Sequence, residues 1–508
     1  MREHGFDRSK FMLTRLKVSG FKNLVDVDLR FGPFTCIAGA NASGKSNLFD
    51  AIQFLSALAD KPLLDAARSV RDERERTTDV LSLFHRAGEE KDDTMRFEAE
   101  MIIPKNGIDD LGQPAEASST FLRYALELAF RKGEEQGMPD SLRVVSEKLS
   151  YITTGEAHKH IKFPQSAAKW RQSVVTNRRT SGGYISTQGM GSDTLVKLHQ
   201  DGGSRGKPVA RKAERLPRTV LSAVDAAESP TALLARREMQ SWRMLQLEPS
   251  SLRRPDHFTS PQRLEADGSH LAAALYHLAR QREKEAGGKG VGQAQVYARL
   301  TNRLSELIDD VSDVWVDRDE KNELLTLSAA TRDGTSHPAR ALSDGSLRFL
   351  ALAVLELETD ATGLICLEEP ENGIHPERIP AMLTLLQDIA VDVEEPVGPD
   401  NPLRQVIINT HSPAVVGEVN DDSLVVAELE EVVRDGHRFK GVSFSCLPDT
   451  WRAQADPPPT ILPRGALLAY LNPHSRGRLK TESDTRRRPR VAEREDIQPL
   501  LPFQAEGK

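Results

Sequence analysis

The stretch "FTCIAGANASGKSNLFDAI", residues 34–52, places an apolar run, a glycine-bounded loop and the start of a helix in that order. Gly39, Gly44, Lys45 and Ser46 fit the spacing G-x-x-x-x-G-K-[ST]. In loops of this kind, backbone N–H groups converge on phosphate oxygens, the helix N-terminus adds positive potential, and the hydroxyl ligates magnesium. The stretch therefore predicts a strand, a phosphate-binding loop and a helix.

Composition limits the classes of protein to which the chain can belong. Its 508 residues predict two or three compact units. A net charge of −7 argues against a surface that coats nucleic acid throughout, so any DNA contact must be regional. Cys36, Cys366 and Cys446 are widely spaced and lack zinc-site spacing, which favours buried, reduced thiols. No stretch approaches the ~18 apolar residues of a membrane span, and we expect a cytoplasmic protein with no membrane partner.

A second apolar run, "GLICLEEPENGIHP" at residues 363–376, ends in two adjacent carboxylates, Glu368 and Glu369. Successive side chains of a strand point in opposite directions, so one acid can serve a metal ion and the other a water molecule. We assign Glu368, together with Ser46, to Mg²⁺, and Glu369 to the general base. Alone, such a pair is more typical of a solvated turn; the phosphate-binding loop is what favours the catalytic interpretation.

A third apolar run, "RQVIINTHSP" at residues 404–413, ends in the polar residues Asn409, Thr410 and His411. Side chains just past the carboxyl end of a parallel strand lie at the crevice where α/β sheets bind ligands. His411 is therefore predicted to contact a γ-phosphate and to hold the attacking water. A lone histidine is more often a hydrogen-bonded surface or core residue.

The segment "RALSDGSLRFLALAVLEL", residues 340–357, begins with a serine–glycine turn and continues as an apolar helix. Ser343 is a favourable N-cap, so the segment by itself predicts only a capped helix.

The rest of the chain predicts both strands and helices. Alternating apolar residues predict a hairpin at 13–29 and antiparallel strands at 121–130 and 142–153. Residues 162–218 are polar and basic, which favours flexible surface loops over a formed nucleic-acid patch. Residues 268–286 and 295–314 have helical spacing, without the sustained heptads of a long coiled coil.

Together these segments resemble the ATP-binding-cassette ATPase heads of the SMC, RecF and OLD type. The resemblance rests on "FKNL" followed by "GANASGKSNLFDAI", the signature-like "LSDGS", the Walker B-like "LICLEEPENGIHP" and the switch segment "INTHSP". They span residues 13 to about 426 in the expected order. "EEPENGIHP" followed by "THSP" is similar to prokaryotic RecF/OLD-like ATPases of antiphage and repair operons.

The resemblance implies an α/β P-loop NTPase of the ABC-ATPase head type, with a mixed central sheet, an antiparallel β subdomain and a helical inserted lobe. We expect an N-terminal ATPase lobe with the antiparallel β subdomain at 1–160 and a largely helical inserted lobe with flexible basic loops at 161–335. The C-terminal ATPase part would follow at 336–435, and a partly disordered extension at 436–508.

The resemblance also implies that two heads sandwich two molecules of ATP with Mg²⁺, so that hydrolysis requires a homodimer or a higher oligomer. Ser343 and Gly345 of one copy would close on the nucleotide held by Lys45 of the other, while Glu369 and His411 position water. Gln246, beside "LEPSSLRRP", is the expected lobe-linking glutamine. The expected nucleotide ligands are Gly39, Asn41, Ser43, Gly44, Lys45, Ser46, Asn47, Gln246, Ser343 and Gly345.

The sequence departs from the usual family pattern in three places. Glu368 replaces the aspartate on the metal side of Walker B. The signature reads S-D-G-S where S-G-G-Q is usual, so Asp344 places a negative charge where a γ-phosphate would arrive. OLD proteins carry a C-terminal Toprim nuclease, but the glutamate and D-x-D pattern of that domain is missing after His411.

Two functions are consistent with these patterns. The first is an ATPase switch of an antiphage defence system that acts with a separate effector protein, such as a nuclease. The alternative is a RecF/SMC-like DNA-binding ATPase of repair or recombination, for which basic residues at 205–218 and 486–490 are the evidence.

Overall fold

The computed structural model of the chain describes residues 12–70, 80–87, 90–133, 140–201, 206–288, 290–308, 310–358, 363–434 and 437–463, with 465, 467 and 471. The chain divides into two units, Met1–Arg464 and Gly465–Lys508. Most of the second unit, including the arginines at 486–490, lies outside the described residues. All of the structure below belongs to the first unit.

A mixed central sheet confirms the predicted α/β class. Its strands lie in the order Arg243–Leu245, Gly363–Glu368, Arg404–Thr410, Phe34–Ala38, Leu424–Arg434, His437–Cys446 and Thr460–Ile461. The strands from Arg243–Leu245 to Leu424–Arg434 are parallel, and His437–Cys446 then pairs antiparallel. All residues of Phe34–Ala38 and Arg404–Thr410 are buried, as expected for parallel strands covered on both faces.

An antiparallel sheet forms the second layer. Its order is Val209–Lys212, Leu195–Leu198, Ile185–Gln188, Ser141–Tyr151, Phe121–Arg131, Thr94–Ile102, Met12–Ser19 and Val27–Arg30. The predicted hairpin is present, with Lys17 opposite Asp28, and so are the two long strands.

The expectation of flexible loops throughout residues 162–218 is wrong for part of that segment. Ile185–Gln188, Leu195–Leu198 and Val209–Lys212 extend the antiparallel sheet to its edge. Each strand has only four residues, too few for alternation to stand out among glycines and basic side chains.

Aromatic packing joins the helix that follows the phosphate-binding loop to the antiparallel sheet. The rings of Phe21, Phe54 and Phe97 lie 5.8, 5.5 and 5.7 Å apart, pairwise between centroids. Phe21 belongs to the turn after the first strand, Phe54 to the helix Lys45–Leu58, and Phe97 to Thr94–Ile102. Because buried aromatic pairs of this geometry stabilise a core, they fix the helix against the antiparallel sheet.

Helices flank the sheets. The α-helices of the described chain are Lys45–Leu58, Leu63–Arg68, Ala157–His160, Gln172–Val174, Pro230–Gln240, Pro249–Leu252, Leu271–Glu285, Val291–Ser305, Asp344–Leu357, Ile379–Ile389 and Pro413–Glu418. None of them is long and apolar enough to cross a membrane.

Smaller sheets complete the unit. Asp256–His257, Leu324–Thr331 and Val311–Asp319 form one sheet, with Ser336–Pro338 paired to Leu324–Thr331. Short pairs join Arg86–Ala87 to Glu90–Lys91 and Asn106–Ile108 to Pro114–Glu116. The segment 161–335, expected to be largely helical, thus holds strands as well as helices.

Candidate functional site

The register of the central sheet brings the sequence motifs to one edge. Glu368 lies opposite Asn409, and Thr410 lies opposite Ala38. In open α/β sheets this carboxyl edge is where ligands bind. The residues that follow these strands and Arg243–Leu245 are Gly39, Gln246, Glu369 and His411.

The phosphate-binding loop, residues 39–46, has a backbone that requires its glycines. Gly44 has φ 97° and Ala42 φ 62°, both in the left-handed region. A Cβ on Gly39 would lie 2.5 Å from the carbonyl oxygen of Ala427, and one on Gly44 would lie 2.4 Å from Nδ2 of Asn23. Glycine is therefore required at both positions, because a Cβ at either would push the loop away from Ala427 or Asn23.

The lysine of the loop is buried within it. Lys45 Nζ donates to the carbonyl oxygens of Gly39, at 2.7 Å, and Ala40, at 2.8 Å. Burial lowers the pKa of this ammonium, and the neighbouring carboxylates, Glu369 first, only partly offset the effect. Ser43 Oγ is buried without a hydrogen-bond partner in the described structure. A cradle of glycines with an ammonium and an unsatisfied hydroxyl fits a bound phosphate group.

The predicted metal ligands, Ser46 and Glu368, are both half-buried. Within the described ranges, His, Cys, Asp and Glu side chains form no group of three or more that could hold a metal ion. Mg²⁺ is usually held by one or two protein oxygens together with phosphate and water oxygens. These two residues therefore fit an ion that arrives with a nucleotide, and do not fit a site built from protein ligands alone.

Glu369 and His411 form the centre of the site. Oε1 of Glu369 lies 2.6 Å from His411 Nδ1, and its Oε2 accepts a 2.8 Å hydrogen bond from Asn372 Nδ2. The backbone at Glu369 has φ 44° and is held by hydrogen bonds from its N–H to the carbonyl and side-chain oxygens of Asn409. Burial alone would raise the pKa of Glu369, but the bonds from Asn372 and His411 hold it below its ordinary value. The group is therefore an ionised, oriented carboxylate.

Sequence reasoning missed a third acid in the same segment, Glu371. Its side chain is 6% exposed, and Oε1 accepts a hydrogen bond from Thr410 Oγ1, which itself accepts from the N–H of Ser412 at 2.9 Å. Oε2 lacks a hydrogen-bond partner among described residues. Burial raises the pKa of Glu371, and the bond from Thr410 offsets only part of that rise. Nothing in the sequence distinguished this carboxyl from a solvated turn.

The signature turn, residues 343–346, caps the helix Asp344–Leu357 as predicted. Ser343 Oγ accepts from the N–H of Ser346 at 3.1 Å, and the Ser343 side chain is exposed. Gly345 is buried, and a Cβ there would lie 2.3 Å from the carbonyl oxygen of Gly373. Ser343 is thus accessible to another molecule, whereas Gly345 packs against its own chain.

The other predicted ligands lie around this edge. Gln246 is exposed directly after Leu245, which pairs with Leu367 next to Glu368. Asn41 is exposed, and Asn47 Nδ2 donates to Asn23 Oδ1 at 2.8 Å. The structure assigns the asparagine of "FKNL" to the support of the phosphate-binding loop, a role that the sequence did not predict.

A family model described as "AAA domain, putative AbiEii toxin, Type IV TA system" matches residues 34–108 and 145–417. The matched residues include the phosphate-binding loop, the signature turn, the Walker B-like segment and the switch segment. Among curated proteins, no sequence matches the chain.

Solved structures of SMC heads also match. The crystal structure of an SMC head bound to the C-terminal winged-helix domain of ScpA has 14% identity and a TM-score of 0.41, covering 85% of this chain and 97% of that one. An SMC head from Pyrococcus furiosus, with an extended coiled coil and the C-terminal domain of ScpA, has 12% identity and a TM-score of 0.41 over 85% and 96% of the two chains. The SMC head from Thermotoga maritima has 12% identity and a TM-score of 0.35 over 85% and 97%.

Proposed function

Because the chain belongs to the AAA-domain family whose model spans most of its length, we propose that it is an ATP-hydrolysing switch that works as a homodimer. The observation that carries the proposal is the convergence of three segments at one sheet edge. Lys45 lies in the phosphate-binding loop there, and Glu369 and His411 are in contact 2.6 Å apart. A phosphate cradle beside an oriented carboxylate fits hydrolysis of a phosphoanhydride.

Different residues of the chain bind the phosphates, hold the metal ion and act as the base. Backbone N–H groups of the loop, Ser43 and Lys45 bind the phosphates, with Lys45 leaving its loop carbonyls for the terminal phosphate. Ser46 and Glu368 would hold Mg²⁺, and the ion would supply positive charge near the transferred phosphoryl group. Glu369 takes a proton from the attacking water. Its lowered pKa keeps it ionised, and His411 fixes its orientation.

Dimerisation gives the signature turn its role. Ser343 is exposed at the N-terminus of Asp344–Leu357, where the positive end of the helix dipole suits a phosphate held by a second copy. Its hydroxyl, which is bonded to Ser346, would turn toward that phosphate. Gly345 packs closely on Gly373 and so holds the signature turn against the segment that follows Glu369. Gln246, on the exposed side of the sheet edge, would sense the nucleotide and link it to the inserted lobe.

We assign this switch to bacterial antiphage defence, acting with a separate effector protein such as a nuclease. The family description supports the assignment because it names a toxin of a type IV toxin–antitoxin system. Closure of the dimer would change the surface that the effector contacts.

The test is Glu369→Gln, which keeps the shape of the side chain and removes the base. With ATP and Mg²⁺ this variant should form a nucleotide-bound dimer and release phosphate at least ~10²-fold more slowly than the unmodified protein. Glu377→Gln is the matched control, since Glu377 directly follows the same segment and its side chain is 85% exposed. A Glu369→Gln protein that hydrolyses at the normal rate, or stays monomeric with ATP, contradicts the mechanism.

A second candidate, a DNA-binding ATPase of repair, is favoured by one observation. The edge strand Val209–Lys212 and its flanks expose Lys207, Lys212 and Arg215 on the antiparallel sheet. If this edge binds duplex DNA, affinity should fall steeply with salt, because neutralised phosphates release counterions. Replacement of these three residues by glutamine should then reduce the salt slope. Binding that is absent or independent of salt eliminates this candidate.

A further inference from the structure

The signature turn carries an acidic residue where a phosphate is expected to dock. Asp344 occupies the first turn of Asp344–Leu357, and its side chain is 55% exposed. An unpaired carboxylate there would offset the positive potential of the helix N-terminus and repel an incoming triphosphate. The turn can receive a nucleotide only if this charge is compensated.

Arg253 is placed to compensate it. Its Nη2 donates to the carboxylate of Asp344 and, at 3.0 Å, to the carbonyl oxygen of Leu342. The backbone of Arg253 is itself held by a 3.2 Å hydrogen bond to the carbonyl oxygen of Pro249. The guanidinium is therefore tied to the backbone of the turn as well as to Asp344.

An arginine on the signature helix itself is committed elsewhere. Arg348, on the same helix, donates from Nε to the carbonyl oxygen of Leu247 at 3.0 Å and from Nη1 to that of Asn372. Arg348 thus joins the signature helix to the turn beside Glu369, and it makes no ion pair with Asp344 among the described contacts. Among the described ion pairs, Arg253 is the partner of Asp344 and supplies the compensating charge.

We propose that Arg253 is a positioning residue for dimer closure: by neutralising Asp344, it makes the S-D-G-S turn acceptable to the nucleotide of a second copy. This inference rests on the proposed homodimeric switch. It also gives a physical reason for the unusual aspartate: acid and arginine act as a pair across 91 positions of sequence. A phosphate that reaches the turn meets a net positive surface made of the helix N-terminus, Asp344 and Arg253.

The experiment measures ATP-dependent dimerisation in the Glu369→Gln background by sedimentation. Arg253→Gln keeps a donor for the Leu342 carbonyl but removes the charge, and it should weaken dimerisation at least ~10-fold. Adding Asp344→Asn should restore dimerisation to within ~3-fold, because the repulsive charge is then gone. Arg253→Lys retains the charge and should stay close to the parent. Arg254→Ala is the control, since Arg254 is the exposed neighbour.

The outcomes separate the homodimeric switch from the role of Arg253. A parent that fails to dimerise with ATP overturns the homodimeric switch and, with it, the role of Arg253. A dimerising parent with an equally competent Arg253→Gln variant overturns only the role of Arg253. A defect that Asp344→Asn does not restore gives Arg253 a purely structural role and also overturns the proposal. Should Arg253→Gln fail to fold, unaltered dimerisation of Arg253→Ala/Asp344→Asn supports charge compensation, and its loss contradicts it.

Discussion

His411 Nδ1 lies 2.6 Å from Glu369 Oε1, although the two residues are 42 positions apart in sequence. The contact arises because Gly363–Glu368 and Arg404–Thr410 are parallel neighbours whose carboxyl ends are in register. With Asn372 bonded to the other oxygen, the carboxylate has two fixed donors and one defined orientation. Such a group is prepared to accept a proton without first reorganising.

His411→Ala should slow phosphate release ~10- to 10²-fold while ATP binding changes little. Removing the histidine also removes a contact that lowers the pKa of Glu369. The pKa should then rise, so the acidic limb of the pH–rate profile should move to higher pH. Single-turnover phosphate release across about pH 3.5 to 8, a range that includes the acidic limb, with nucleotide binding measured separately, checks both effects.

The control for this change is His375→Ala. His375 lies in the same segment as Glu369, and its side chain is 70% exposed. It should leave the rate and the pH profile unaltered. An acidic limb that stays in place when His411 is removed would show that the histidine does not act on Glu369.

Gly44→Ala should weaken ATP binding ~10-fold or more. The new Cβ would lie 2.4 Å from Asn23 Nδ2. The alanine would also have to keep the φ of 97° that the loop requires, where an L side chain is strained by roughly 1 kcal/mol. The loop must then shift, which turns its N–H groups away from the phosphates. Isothermal titration with ATP and Mg²⁺ measures the effect.

The matched variant is Gly112→Ala. Gly112 has φ 79°, and a Cβ there would meet nothing within 4 Å, so it shares the backbone strain without the contact. Its ATP affinity should equal that of the unmodified protein. Equal affinity in Gly44→Ala would mean that the shape of residues 39–46 does not determine nucleotide binding.

Glu371→Ala should reduce phosphate release ~10-fold, because Thr410 loses its acceptor and the adjacent His411 loses its support. Glu371→Gln should keep most of the activity, because its amide oxygen can accept the same bond and burial already disfavours the charged form. The ratio of the two rates, with thermal midpoints to verify folding, is the measurement. Equal activity in the unmodified protein, Glu371→Ala and Glu371→Gln would show that Glu371 does not support the site.

The strands that carry the motifs could be predicted because each is an apolar run that ends in glycine, carboxylates or histidine. The roles proposed for Lys45 and Glu369 rest on such local patterns. Arg253 and Asp344 could not be paired in advance, since their contact depends on how the turn after Pro249–Leu252 meets a helix far along the chain. The contact between Glu371 and Thr410 likewise depends on the register between the strands Gly363–Glu368 and Arg404–Thr410. Tertiary contacts of this kind produce no periodic pattern of apolar residues, so they cannot be predicted from the sequence in the way that strands and helices can.

Glu147, a buried acid outside the sequence motifs, makes the stability of the fold depend on pH. Glu147 is fully buried and accepts from the N–H groups of Val220, at 2.7 Å, and Leu221, at 2.8 Å. Burial raises its pKa from 4.5 to about 7 despite these donors. A carboxyl whose folded pKa is raised stabilises the fold fully below its unfolded pKa, and this contribution is lost as pH rises through the folded pKa.

Glu147→Gln should therefore remove a fall in stability that the unmodified protein shows between about pH 4.5 and pH 7. A shift from 4.5 to about 7 corresponds to a change on the order of 3 kcal/mol in the free energy of unfolding. Glutamine offers one acceptor oxygen where the carboxyl has two, so the variant should be less stable at pH 5 and should recover relative to the unmodified protein at pH 8. Urea midpoints at both pH values measure the difference, with the exposed Glu430→Gln as the control that should follow the unmodified protein. Parallel pH profiles for Glu147→Gln and the unmodified protein would show that Glu147 remains ionised inside the fold, held by Val220 and Leu221.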